Sequence, residues 1–304
     1  MINSLPMRNR WTKRTWRSLI LGLLFISPWL VNMGWLILYP FFASMYYSLT
    51  YYNVFQAPNF IGLENYRMLF TEDKLFWISL YNTAYFTVFA IGGGTVLAII
   101  IAMMLNMSVQ FRPLYRTIYY LPTVTPAVAN AVLWLWLFNP LYGPINAVLK
   151  MVGLSAPGWL GDPAWAKPAL ILMSFWGLGQ AIIIYLASLQ DVPRELMEAS
   201  ELDGANWFQR TANITLPLIS PVIFFNVVTG LIGSFQYFTE AYVMTQGGPG
   251  DATLFYGLYL YNSAFRYFKM GYASALAWIL FLVILVITLL TFRVSRRHVH
   301  YMGG

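Results

Sequence analysis

Six stretches of this chain contain no Asp, Glu, Lys or Arg: residues 18–63, 75–111, 117–149, 168–190, 211–239 and 270–292. A charge at mid-bilayer costs on the order of 3 kcal/mol, so long charge-free apolar windows mark where a chain can sit in lipid. Each window holds the roughly 20 residues that a helix needs to cross about 30 Å of hydrocarbon. They predict helices over 19–41, 79–105, 117–138, 169–189, 217–238 and 272–292. With 59% apolar and only 10% charged residues, the chain lacks the charge that a water-facing surface requires. The expectation is an all-α integral membrane protein with six transmembrane helices.

The cations give those helices a direction. Arg8, Arg10, Lys13, Arg14 and Arg17 precede the first window, and Lys and Arg collect on the cytoplasmic side of short loops. Alternation then places twelve of the 18 Lys and Arg residues inside and six outside, with both termini cytoplasmic. The expected layout is a basic cytoplasmic N-terminus over 1–18, a membrane domain over 19–292 and a cytoplasmic tail over 293–304. A secretory signal peptide shares the basic start, but this first window is too long and carries Trp, Tyr and Phe where a cleavage site needs small residues. The net charge of +7 follows membrane sidedness instead of forming one basic face, which argues against a nucleic-acid partner.

Chemistry-bearing clusters are scarce. The absence of cysteine excludes disulfides, thiolate metal sites and a cysteine nucleophile. His298 and His300 have no further ligand types nearby for a metal. No GxxxxGK[ST] phosphate loop occurs, so the chain is not expected to be an enzyme or to bind a cofactor. Gly92, Gly93 and Gly94 fall inside the second window, where small residues permit close helix packing.

The one long inside loop, 191–216, is the most informative stretch. Asp191 and Pro193 are helix-start signals, Glu195 suits a first turn, and Gly204 is a stop in the left-handed conformation, predicting a short helix over 193–203. Leu196, Ala199 and Ser200 recur at helical spacing with Met197 beside them, and Glu198 offers a carboxylate to a basic partner group. From the residues alone, a protein-docking helix and an amphipathic helix on the lipid surface stand as alternatives, although Glu195, Glu198, Glu201 and Asp203 suit an anionic leaflet poorly.

The loop resembles the EAA motif of ABC importer permeases, in which Glu-Ala-Ala is followed at fixed intervals by Gly, Ile and Leu-Pro. Glu198-Ala199-Ser200, Gly204, Ile214 and Leu216-Pro217 keep every interval, with Ser200 replacing the second Ala. Residues 244–250 (MTQGGPG) and 270–275 (MGYASA) are similar to the sugar branch, in particular the larger maltose-type subunits. The resemblance implies a type I importer architecture in which Glu198, Ala199, Ser200 and Gly204, flanked by Leu196 and Met197, form a coupling helix docked on an ATPase. Its implied partners are a second homologous permease, two ATPase copies that use ATP and Mg, an extracytoplasmic solute-binding protein, membrane lipid and a carbohydrate.

A sugar path needs hydroxyl partners and flat rings on facing helices. Trp176 and Gln180 are four apart, Ser234 and Tyr237 three apart, so each pair shares a helix face. By the resemblance, these four positions, Gly177 and Gly230 correspond to sugar-contacting ones. Asn130, Trp134 and Asn226 are further polar or aromatic candidates, and Glu240 closes the fifth window at the outer interface. Packing and helix bridging are the alternative roles for all of them. A secondary carrier would show inverted repeats or intramembrane ion pairs, and a membrane enzyme an acid–base or metal cluster; the sequence shows neither.

Overall fold

Backbone polar groups have no partner in lipid, so a chain with these apolar runs must close its hydrogen bonds within helices. The computed structural model describes residues 12–107 and 110–295. Arg8, Arg10, Trp11, Arg296, Arg297, His298 and His300 lie outside the described residues. Four helices are long and apolar enough to span a membrane: α1 (Lys13–Ser48), α3 (Lys74–Asn106), α10 (Trp207–Met244) and α12 (Met270–Ser295). Two bent pairs complete the set to as many as six: α4 (Arg112–Val124) with α5 (Ala127–Leu137), and α7 (Pro163–Trp176) with α8 (Gly179–Gln190). Shorter helices are α2 (Glu64–Thr71), α6 (Pro144–Met151), α9 (Arg194–Leu202) and α11 (Tyr256–Tyr261).

The third expected helix, 117–138, is therefore not one helix. α4 and α5 meet at 104°. Pro122 lies in the last turn of α4, Thr125 is extended (φ −73°, ψ 130°), and Pro126 caps α5 with ψ 140°. Proline removes a backbone donor and pushes the preceding residue out of the helical region, so two prolines four apart break the run. The fourth helix is also bent, by 49° at Gly177 and Leu178. Only the second, fifth and sixth windows give nearly uninterrupted helices, and the first extends well beyond 19–41 at both ends with a π-helical stretch, Asn32–Leu38.

α3 is the central element and packs against α7, α8, α10 and α11. Without a hydrophobic drive between helices in lipid, close backbone approach and dispersion must hold them together. Gly93 and Gly94 supply it: a Cβ on Gly93 would lie 2.9 Å from the Phe175 ring, and one on Gly94 3.1 Å from Leu178. Gly179 lets α8 meet α4, since a Cβ there would stand 2.3 Å from the Tyr119 carbonyl.

The interior divides along α3. One cluster gathers Ala98, Ala102 and Leu105 of α3 with Tyr185 and Leu189 of α8 and Ile219 of α10. The other gathers Phe76, Phe86 and Ala90 with Trp134, Phe138, Phe255 and Leu276. Thus α9, which follows α8, lies at the C-terminal end of α3. At the opposite end converge the last turn of α1, the β1–β2 hairpin (Thr50–Tyr51 with Asn59–Phe60), α2 and the start of α12. α1 leans on α12, with Trp278 Nε1 donating to Ser44 Oγ at 3.2 Å, yet none of its residues before Ser48 is buried within the chain.

Candidate functional site

The loop helix forms where its start and stop signals predict. α9 covers Arg194–Leu202 behind Pro193, and Gly204 takes φ +78°, the left-handed conformation that glycine enters without steric cost. In that geometry Gly204 N–H donates to Glu201 O at 3.0 Å and Ala205 N–H to Ser200 O at 3.0 Å, satisfying carbonyls that the helix end would otherwise orphan. Directly after it, Asn206 and Gln209 form a reciprocal capping box that starts α10. Glu201 and Arg210 are ion-paired across the turn.

Glu198, Ala199 and Leu196 face outward, while Met197 is half-buried and Ser200 is buried with its hydroxyl on Met197 O at 2.7 Å. Ser200 therefore packs inward instead of sharing an exposed face with Leu196. Its small size serves the chain's own packing, and the outward surface is Leu196, Glu198 and Ala199. Sequence reasoning missed the neighbours Leu202, Trp207 and Phe208, exposed by 91%, 54% and 75%. Large apolar side chains left outside beside a charged helix were the available signal.

Part of the sugar-path set also comes together. A cavity of about 420 Å³ lies between α3, α8 and α10, lined by Gly177, Gln180, Asn226 and Gly230 together with Thr95, Tyr185 and Thr229. Gly230 keeps the α10–α3 crossing narrow, since a Cβ there would come 2.9 Å from Ile91 Cδ1. The three hydroxyl residues were not singled out, although Thr in an apolar helix is a visible cue for a polar lining. Asn226 already donates to Val222 O at 3.0 Å, which leaves its carbonyl for the cavity.

The remaining path residues lie elsewhere. Tyr237 stacks on Phe86 at 4.3 Å with Phe255 against its edge, and Ser234 is buried with its hydroxyl directed at Leu231 O. Trp134 is buried and Trp176, half exposed, meets it edge-on at 6.0 Å. Asn130 Oδ1 and Trp134 Nε1 are buried without a hydrogen-bond partner among the described residues. None of these five side chains lines that cavity: Tyr237 packs on Phe86 and Phe255, and Trp176 on Trp134. Glu240 is half-buried in the final helical turns of α10.

At the other end of α3, Asp73 receives four hydrogen bonds. Its Oδ1 accepts from the Leu75 and Phe76 amides at 2.9 and 3.2 Å, and Oδ2 accepts from the Tyr259 and Tyr272 hydroxyls. Burial pushes the Tyr259 phenol well above its ordinary pKa, so that hydroxyl stays protonated and donates.

The chain can now be set against known proteins. Residues 94–300 match the family described as "Binding-protein-dependent transport system inner membrane component". The probable ABC transporter permease protein YesP of Bacillus subtilis is 41% identical over 92% of each chain. The lactose transport system permease protein LacF of Rhizobium radiobacter is 36% identical over 90% of this chain and 94% of its own length. Among solved structures, a chain of a bacterial ABC transporter involved in import of the acidic polysaccharide alginate superposes with a TM-score of 0.78 at 26% identity, covering 94% of this chain and 99% of that one. The helical arrangement, the loop and these likenesses agree: the chain belongs to the inner-membrane components of binding-protein-dependent ABC transport systems.

Proposed function

We propose that this chain is one transmembrane subunit of an ATP-driven importer that passes an oligosaccharide or related sugar inward by alternating access. In this reading each bent pair is one span, giving six, with both termini and α9 cytoplasmic. It pairs with a second homologous permease and takes its solute from an extracytoplasmic binding protein. Two separate ATPase subunits supply the nucleotide site and Mg, and this chain binds no cofactor. The observation that carries the reading is α9: a pre-capped, solvent-facing helix with Leu196, Glu198 and Ala199 outward, between two membrane elements, at the motif's full spacing. The similarity to a lactose permease and the hydroxyl- and amide-lined cavity support a sugar as cargo.

Docked in a groove of the ATPase, α9 transmits closure of the nucleotide dimer to α8 and α10, the helices that border the cavity. Glu198→Lys places a cation where a carboxylate meets the partner. Uptake of labelled maltotriose or lactose by cells should fall roughly tenfold or more, equivalent to at least ~1.4 kcal/mol of lost coupling. Membrane insertion, read by immunoblot of membranes, should be unchanged. Wild-type uptake in the variant would overturn the assignment of α9.

A further inference from the structure

We propose that the cavity at the outer end of α3 is a saccharide-binding site separate from the one between α3, α8 and α10; this rests on the carbohydrate reading above. The cavity measures about 900 Å³, within the usual range for small-ligand sites. Leu75 lines it, and Ala90 lines the inner cavity; 15 residues of helix separate the two, or about 22 Å at 1.5 Å per residue.

Its walls are fixed before any ligand arrives. Asn65 Nδ2 donates to Ser48 O at 2.8 Å and Thr50 O at 3.0 Å, tying α2 to the end of α1 and the hairpin. Gly271 N–H donates to Tyr52 O at 3.0 Å, and a Cβ on Gly271 would stand 2.0 Å from Thr50 O, so only glycine allows α12 to start there. Asp73 joins α3 to α11 and α12 through the two tyrosines. A rigid wall lowers the ordering cost of binding.

What the walls present is ring faces beside polar groups. Tyr51, Tyr267 and Phe268 are 58%, 53% and 45% exposed, with Asn53, Glu72 and Lys269 around them. Flat exposed rings match the C–H faces of a pyranose, and amide, carboxylate and ammonium groups match its hydroxyls. Acyl chains fit this lining poorly, because Glu72 and Lys269 would lose water without compensation. In the proposed orientation the site opens where solute arrives, ahead of the path through the membrane.

The test uses the assembled transporter and three probes taken singly: maltotriose, lactose and trigalacturonate. Binding is read by saturation-transfer NMR without binding protein, and uptake kinetics are measured in proteoliposomes with it. For whichever probe the wild type imports, Tyr51→Ala with Tyr267→Ala should weaken direct binding at least tenfold and raise the uptake KM while Vmax holds. Tyr51→Phe with Tyr267→Phe keeps the rings and should restore both, which separates ring stacking from misfolding. Unchanged binding and KM in the double alanine variant overturn the site. So does unchanged sugar binding with weakened docking of the binding protein, which would assign the surface to a protein loop. Import of none of the probes by the wild type sinks the carbohydrate reading, whereas import at the wild-type KM in the double alanine variant sinks only this site.

Discussion

At the scale of single residues, the end of the molecule where α3 starts depends on Asp73. Its two carboxylate oxygens cap α3 and receive the hydroxyls of Tyr259 and Tyr272, so Asp73→Ala removes a cap and both of those hydrogen bonds. Caps are worth about 1 kcal/mol, and a hydrogen bond to a charged group about 1.5–3 kcal/mol. The variant should therefore lose at least ~3 kcal/mol, seen as a lower melting temperature of the detergent-purified complex; an unchanged melting curve would show that the network is not structural. Its tyrosine partners were invisible in the sequence, because they lie 186 and 199 positions away. Gly204 was visible, because its role is local: only the residues just before it decide where the helix must stop. The same distinction explains the path residues. A spacing of three placed Ser234 and Tyr237 on one helix face, but the helical turns stop at Phe235, and Tyr237 lies in the break before Thr239, against Phe86 and Phe255.

Among the elements, α9 and the bent pairs show how far local rules reach. Gly204→Val forces a β-branched residue to φ +78°, a conformation that costs ordinary side chains roughly 1–2 kcal/mol and β-branched ones more. The end of α9 should fray, and uptake should fall several-fold in membranes that contain normal amounts of protein. Gly204→Asn, which tolerates the left-handed region, should retain most transport. Equal loss in both variants would mean that the position matters for contact and not for capping. The windows located the apolar elements but overstated their continuity, since a charge count treats Pro122 and Pro126 like any other uncharged residue. Proline is the local signal that was legible there and outweighed by hydropathy. The 49° bend of α7 and α8 has a weaker cue, a glycine at the joint. It takes its place from Phe175 and Leu178 fitting over Gly93 and Gly94, contacts that pattern alone does not reveal.

For the whole molecule, the two ends of α3 carry different chemistry. One presents a charged, pre-capped helix with bare apolar neighbours; the other presents a tyrosine-lined cavity braced by Asp73 and Asn65. In the importer proposed above, orientation in the membrane decides which end meets the ATPase. The chain contains no cysteine, so single cysteines report orientation without background. Leu202 at the end of α9 and Leu141 before α6 are exposed by 91% and 85%, and replacing either side chain disturbs no packing within the chain. With α9 cytoplasmic, Leu202→Cys should react with a membrane-impermeant maleimide in inverted vesicles and resist it in intact spheroplasts. Leu141→Cys should show the reverse pattern. In the assembled importer, adding the ATPase subunits should further protect Leu202→Cys and leave Leu141→Cys unaffected, because only one end has the motor docked on it. Labelling of both cysteines from the same side would remove the six-span layout and, with it, the placement of α9 against an ATPase.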